Sequence, residues 1–172
     1  MKKIEAIIKP FKVEDVKEAL TEIRKVARKE PALAAEGAVL LLEKLSPALM
    51  HVDSSSGALG SAVNKAIEVL VPIIATGADD AVIKEKWLDR LWQAIEDDQM
   101  PYIEHLKTFW GELCATRELA SRWADTFLPT TRYVMLEEKA FAIYNGQEAC
   151  LSALYFSGRY DEIKELVTQA QH

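Results

Sequence analysis

The stretch Pro31-Ala-Leu-Ala-Ala-Glu-Gly-Ala-Val-Leu-Leu-Leu-Glu-Lys-Leu45 decides the fold class of this chain. Its apolar residues recur mainly at helical spacing and form a broad face, and Pro31 suits the first turn of a helix. A wide apolar face predicts a helix that is deeply buried. We expect Ser46-Pro47 to interrupt it, because proline lacks the amide that a helix interior needs.

Helical spacing continues on both sides of this stretch. Before it, apolar positions recur every three or four residues from Val13 to Ala27, and after it similar stripes continue to the C-terminal region. Short polar connectors separate the stripes. This pattern predicts an all-α fold built from helical hairpins, and a short repeat-like array is a second arrangement that such hairpins adopt.

Prolines and polar residues mark the expected helix boundaries. We expect Pro72 to bend or break its helix, and a helix that begins at Thr116 to close before Pro129. The carboxylates expected to cap helix N-termini are Asp79 or Asp80 and Asp97 or Asp98, the latter pair for a helix that reaches Leu113. The last three helices are expected at roughly 132–144, 146–157 and 159–171.

Residues 3 to 9, Lys-Ile-Glu-Ala-Ile-Ile-Lys, alternate in polarity and predict one short strand that ends at Pro10. No later stretch offers a clear partner, so an extended segment here exposes unpaired amides and carbonyls. If it is extended, we expect it to pair with another chain, which is a route to a homo-oligomer. If it stays unpaired, it frays or becomes helical.

The charge distribution divides the chain into a segment 1–30 and a single helical domain 31–172. The first segment carries nine Lys/Arg against six Asp/Glu, which leaves twelve cations against twenty-one carboxylates in the remainder. An acidic body disfavours nucleic acid as a partner, because it repels the phosphate backbone.

The predicted location is the cytoplasm. No run approaches the ~18 to 20 apolar residues of a transmembrane helix, and the start lacks the apolar core of a signal peptide. Cys114 and Cys150 have no metal-ligand spacing, so we expect small buried thiols in a reducing compartment. The three histidines, His51, His105 and His172, have no paired spacing either, and we assign no metal and no cofactor.

The opening Met-Lys-Lys-Ile-Glu-Ala-Ile-Ile-Lys-Pro-Phe-Lys-Val-Glu-Asp-Val-Lys-Glu-Ala-Leu, residues 1–20, resembles the first strand and helix of the PII nitrogen-signalling proteins. The resemblance extends to residue 23, and the signalling loop and phosphate-binding loop of that family have no counterpart here. It implies a natural fusion, an engineered joint, or a strand-helix element that docks to a PII-like trimer.

The stretch Ala-Cys-Leu-Ser-Ala-Leu-Tyr-Phe-Ser-Gly-Arg-Tyr-Asp-Glu-Ile, residues 149–163, resembles the turn of a tetratricopeptide-type hairpin. Gly158, Tyr160 and Ala170 stand where that motif has them, within a unit of residues 147–171. The same residues also form an ordinary helix stop and restart. Residues 31–130 resemble no family that we can name.

Two groups of residues are candidates for binding. Small residues open onto a helix N-terminus, where free amides could hold an anion: Ser55, Ser56, Gly57 and Gly60. A capped turn is the alternative interpretation of that loop. The aromatic side chains proposed to anchor a partner are Trp87, Trp92, Trp110, Tyr155 and Tyr160, with burial in the core as the alternative.

These patterns favour a non-enzymatic helical adapter that binds a protein through an aromatic-lined groove with an acidic rim. A regulator that docks to a PII-like protein through residues 1–23 is a second hypothesis. A small-molecule or enzymatic site near the serine-rich loop 53–61, with His51 beside it, is the third.

Overall fold

The computed structural model describes residues 12–50, 52, 57–136 and 144–170. All regular structure in these ranges is helical, which confirms the predicted all-α class. The strand predicted over residues 3 to 9 lies outside the described residues. The α-helices are α1 (Val13–Ala27), α2 (Pro31–Leu49), α3 (Ala58–Thr76), α4 (Ala81–Glu96), α5 (Trp110–Cys114), α6 (Arg117–Leu136), α7 (Gly146–Ser157) and α8 (Tyr160–Gln169), with a 3-10 helix over Glu104–Phe109 before α5.

The chain divides after Leu106 into two compact units, residues 1–106 and residues 107–172. In the first unit, α2 packs against α1, α3 and α4, and α1 also packs against α3. Leu41, Leu42 and Leu45 are buried, as the apolar face of the opening stretch predicted. Fully burying such a side chain stabilises the fold by about 1.5–3 kcal/mol. Because α2 packs against the other three helices, it is the centre of this unit.

In the second unit, α7 is the central helix and packs against α5, α6 and α8. A glycine allows α5 to approach it closely. A Cβ on Gly111 would lie 2.5 Å from both the Cβ of Phe156 and the carbonyl oxygen of Ser152. The Gly111 amide donates to the Ser152 hydroxyl at 2.9 Å, so the close approach also provides a hydrogen bond between the two helices.

The unit boundary differs from the division expected from charge. Val16, Ala19 and Ile23 of α1 are fully buried in the first unit, because α1 packs against both α2 and α3. Removing residues 1–23 would therefore expose the core of that unit. Whether 1–30 and 31–172 are separate domains stays a prediction.

Two of the expected helix ends are wrong, and both involve proline. The helix α2 continues through Pro47 to Leu49, and α6 continues through Pro129 to Leu136. A proline inside a helix costs about 3 kcal/mol. Beyond Pro47, α2 buries Leu49, and the burial of that side chain offsets part of this cost. The helix α3 likewise runs unbroken from Ala58 through Pro72 to Thr76.

The segment after α4 also departs from its prediction. No continuous α-helix runs from Asp98 to Leu113; a 3-10 helix over Glu104–Phe109 precedes the short α5. Asp98 accepts a hydrogen bond from the Ser46 hydroxyl and one from the Ile103 amide at 2.9 Å. Its carboxylate therefore holds the connector against the end of α2 instead of capping an α-helix.

Of three other predicted helix boundaries, two are confirmed and one is wrong. Asp80 accepts from the amides of Val82 at 2.8 Å and Ile83 at 3.2 Å, which confirms it as the N-cap of α4. The Thr116 hydroxyl accepts from the Leu119 amide at 3.2 Å, so the predicted start of α6 is also confirmed. The helix expected at 132–144 is wrong as a separate element, because residues 132–136 continue α6; residues 137–143 lie outside the described ranges.

By length and composition, α3 is apolar enough to cross a membrane, with a mean hydropathy of 1.5 over its best 18 residues. In the structure it packs against α1 and α2 and buries one face, which includes Val63, Ile67 and Leu70. Ser61, Asn64, Lys65 and Glu68 lie on its exposed side. This distribution is compatible with the core helix of a soluble protein.

Candidate functional site

The candidate site is the turn between α7 and α8 together with the two tyrosines beside it, which we call the tyrosine hairpin (residues 155–160). Helix α7 ends at Ser157, and Gly158 adopts a left-handed conformation with φ of 81°. The Arg159 amide donates to the Leu154 carbonyl at 2.9 Å, and the Gly158 amide to the Tyr155 carbonyl at 3.1 Å. Only glycine adopts this φ without steric cost, so the predicted stop and restart at Gly158 are confirmed.

Arg159 fixes this turn in place. Its Nε and one terminal nitrogen donate to the two carboxylate oxygens of Glu162 at 2.6 and 2.7 Å. Its other terminal nitrogen donates to Asp125 at 2.7 Å and to the hydroxyl and carbonyl of Ser121 at 3.1 and 3.2 Å. Because Asp125 and Ser121 belong to α6, the guanidinium ties the turn to a neighbouring helix.

The electrostatics of this cluster follow from its hydrogen bonds. The bonds from Arg159 outweigh the effect of burial and lower the pKa of the Glu162 carboxyl. In the same way, the hydrogen bonds to Glu162 come first in raising the pKa of Arg159, with those to Asp125 adding to them. The cluster therefore stays charged around neutral pH, and the turn stays anchored.

On either side of the anchored turn, Tyr155 and Tyr160 are exposed to solvent. Tyr155 is 67% exposed and Tyr160 is 49% exposed. Their rings meet edge to face, with centroids 5.5 Å apart and planes at 64°. An aromatic pair of this geometry presents a large apolar surface whose side chains are already ordered. Both tyrosines belong to the aromatic set selected from the sequence.

The tryptophans of that set lie elsewhere. Trp87 is 3% exposed and Trp110 is fully buried, so both belong to the core, the alternative that the sequence left open. The Trp87 indole donates to Glu36 at 2.6 Å. Trp110 packs edge to face against Trp123, with ring centroids 5.1 Å apart. Trp92 is half-buried on α4. The structure thus places two of the five candidate aromatics together on the surface.

The first unit contains a second arginine cluster, which the sequence analysis missed. Arg90 of α4 donates to both carboxylate oxygens of Glu43 at 2.7 Å and to Glu36 at 2.5 Å. Both carboxylates belong to α2. Beside the cluster lies an open cleft of about 310 Å³ whose lining includes Ser46, Gln93 and Asp97. Each side-chain nitrogen of Arg90 donates to a carboxylate of α2, so we interpret the cluster as a structural link between α2 and α4.

The pKa of Glu36 shows the balance of forces in this link. Burial raises it, and the hydrogen bonds from Arg90 and Trp87, with the charge of Arg90, lower it by more. The net effect is a pKa below the ordinary value. The pKa of Arg90 is raised, mainly by its hydrogen bonds to Glu43.

The candidate anion loop is described only in part. Ser55 and Ser56 lie outside the described residues, as do His51 and Asp53. Gly57 is the N-cap of α3 with a φ of 71°, and Gly60 lies in the first turn of the helix. An anion site in this loop stays a prediction.

The cysteines are placed as expected. Cys114 and Cys150 are both buried thiols, which confirms that prediction. Burial raises the pKa of the Cys150 thiol. Among residues 12–50, 52, 57–136 and 144–170, no group of three or more His, Cys, Asp or Glu side chains is arranged to hold a metal ion.

A sequence signal exists for one of the arginine clusters. Glu36 and Glu43 interrupt the apolar stretch of α2 seven residues apart, a spacing that places both on one face of a helix. Two carboxylates on one face of an otherwise apolar helix call for a cation from a neighbouring element. For Arg159 the local signal is Glu162, three residues later, whereas its partners on α6, Asp125 and Ser121, are distant in sequence.

Comparisons of the chain with protein-family models, with characterised proteins and with solved structures find no match. The resemblance of residues 1–23 to the PII proteins and that of residues 147–171 to a tetratricopeptide hairpin therefore stay predictions. The function has to be argued from the residues themselves.

Proposed function

We propose that this chain is a protein-binding adapter whose docking surface is the tyrosine hairpin. The observation that carries the proposal is the exposed Tyr155–Tyr160 ring pair on a turn held by Arg159. Tyrosine is enriched among the residues that contribute most to protein interfaces. Anchoring the turn before binding reduces the entropy lost when a partner orders the surface.

One further exposed apolar side chain supports the same interpretation. Val167 of α8 is 44% exposed and follows Tyr160 by seven residues, a spacing that places both on one face of the helix, while only Leu166 is buried there. Exposed apolar groups that lie together, with charged residues around them, are typical of an interaction surface.

The proposal is tested by affinity purification coupled to mass spectrometry with three forms of the full chain. These are the natural sequence, the Tyr155→Ala/Tyr160→Ala variant, and a control variant, Val82→Ala. Val82 is 64% exposed, a fraction similar to the 67% of Tyr155, and it belongs to the first unit. We expect one protein to be retained stoichiometrically by the natural chain and the control and lost from the tyrosine variant.

A protein retained equally by all three forms would contradict the tyrosine hairpin as the docking surface. Capture of nothing by any form would contradict the adapter function. Circular dichroism of each variant checks that the helices are intact. We expect them to be, because all three substituted side chains are exposed.

The docking of residues 1–23 to a PII-like protein stays a separate prediction, since residues 1–11 lie outside the described ranges. Residues 13–23 belong to α1, whose Val16, Ala19 and Ile23 are buried, and a partner would have to leave that packing intact.

A further inference from the structure

The charges around the tyrosine hairpin indicate what kind of partner it accepts. The two helices of the hairpin and the turn between them, residues 146–169, carry four carboxylates against two cations. The carboxylates are Glu148, Asp161, Glu162 and Glu165, and the cations are Arg159 and Lys164. This segment therefore has a net charge of −2.

The cations do not offset the carboxylates evenly. Each of the three side-chain nitrogens of Arg159 donates to Glu162, Asp125 or Ser121, so its charge is already paired within the second unit. Lys164 lies 3.5 Å from Asp161, and Arg132 of α6 lies 3.8 Å from Glu165, which are both long ion pairs. Exposed pairs of this length stabilise little and are readily exchanged for a stronger partner.

The most accessible carboxylate is next to the ring pair. Asp161 follows Tyr160 directly, and its side chain is fully exposed. On α7, Glu148 is exposed two helical turns before Tyr155, on the same face of the helix. Each of the two helices that carry the exposed rings therefore also carries an exposed carboxylate.

Building on the proposed function, we infer that the partner segment that docks on the tyrosine hairpin is a basic peptide that bears arginine. A guanidinium stacks on the face of a tyrosine ring by cation–π attraction while its nitrogens donate to a nearby carboxylate. Arginine suits this surface better than lysine, because its planar group is less strongly hydrated and provides several donors.

The inference is tested with a random peptide library displayed on phage and selected against the full chain. We expect the recovered peptides to be enriched in arginine relative to the starting library. A synthetic, fluorescently labelled copy of the most enriched peptide is then measured by anisotropy. Its affinity is expected to fall about tenfold or more in Tyr155→Ala/Tyr160→Ala.

Two further measurements isolate the charge. The affinity is expected to fall about threefold to tenfold in Glu148→Gln/Asp161→Asn, which leaves the partners of Arg159 unchanged, and to weaken between about 50 and about 500 mM NaCl. Changing an arginine of the peptide to lysine should lower the affinity more than changing a neighbouring polar residue does.

The outcomes separate this inference from the proposed function. Peptides without an excess of arginine that still lose affinity in the tyrosine variant would overturn the basic partner and leave the adapter function standing. Arginine-rich peptides that bind Glu148→Gln/Asp161→Asn unchanged would overturn the role of the carboxylates. Peptides that bind the tyrosine variant and the natural chain with equal affinity would overturn both proposals. Selection that recovers no binding peptide would do the same.

Discussion

The two compact units each contain an arginine held by one bidentate glutamate and a second carboxylate, yet the two clusters serve different ends. Arg90 receives both carboxylates, Glu36 and Glu43, from another helix. Arg159 receives its bidentate partner, Glu162, from three residues further along the chain, and only Asp125 and Ser121 from another helix. The same chemistry thus links two helices in the first unit and fixes a turn in the second.

The aromatic residues beside the two clusters differ in the same way. Next to Arg90, the Trp87 side chain is buried in the core, and its indole donates a hydrogen bond to Glu36. Next to Arg159, Tyr155 and Tyr160 are exposed. An arginine cluster therefore does not by itself indicate a functional surface, and the exposure of the neighbouring aromatic side chains makes the distinction.

The largest effect is expected from removing Arg90. Arg90→Ala leaves two partly buried carboxylates of α2 without their cation, and we expect the free energy of unfolding to fall by about 2 kcal/mol. Arg90→Lys keeps the charge without the planar fork and should recover about half of the loss. Urea denaturation measures the stability, and hydrogen exchange should show faster opening in α2 and α4. Unchanged exchange in both helices would contradict the link between them.

Removing Arg159 is expected to have a smaller effect on stability. Arg159→Ala should lower the free energy of unfolding by about 1 kcal/mol, because part of its pairing is local and also forms within an isolated helix. Hydrogen exchange should increase in the turn and in α8. The control is Arg132→Ala, which removes an exposed ion pair 3.8 Å long with Glu165 and should change neither quantity. A loss equal to that of Arg90→Ala would show that the two clusters are equivalent.

A third variant separates the local and the distant parts of the second cluster. Asp125→Asn removes the charge that α6 contributes and keeps an oxygen that can accept from Arg159. Since Asp125 is 64% exposed, solvent screens the pair, and we expect a loss of about 0.5 kcal/mol. The affinity for the arginine-rich peptide should also fall less than in Glu148→Gln/Asp161→Asn. A greater loss of stability than in Arg159→Ala would mean that Asp125 has a further role.

The smallest effect concerns pH. The pKa of Glu36 is lowered from its ordinary value of 4.5, so its pairing stabilises the fold fully above that pH. The contribution is lost as the pH falls through the lower pKa of the folded state. Between pH 5 and pH 3 we expect the free energy of unfolding, measured with urea, to fall less for Arg90→Ala than for the natural chain, by about a few tenths of a kcal/mol after screening. Equal slopes would show that Arg90 does not hold the Glu36 charge.

Local patterns predicted much of the fold. The wide apolar face around Leu41 and Leu42 predicted a buried helix, and Asp80, Thr116 and Gly158 predicted helix boundaries, because caps and stops depend on residues within one turn. The prolines misled the prediction at Pro47 and Pro129. Whether a helix continues past proline depends on what the following residues bury, and that involves helices distant in sequence.

The candidate site was predicted in part. Tyr155 and Tyr160 were selected as aromatic residues near a turn, and Trp87 and Trp110 were selected with them. Helical spacing places an aromatic residue on a face of its helix, but it does not say which face another helix covers. Arg159 was missed for the same reason, since Asp125 and Ser121 approach it only through the packing of α6 against the hairpin.

By itself, the sequence determined the helical class, most of the helix starts and the turn at Gly158, because these depend on spacing and hydrogen bonds among neighbouring residues. The tertiary structure alone decided the division after Leu106, the continuation of helices through proline and the pairing of Arg90 and Arg159. It also decided which aromatic side chains face solvent. These features depend on which helix faces come together, and that depends on burial summed over the whole chain rather than on local spacing.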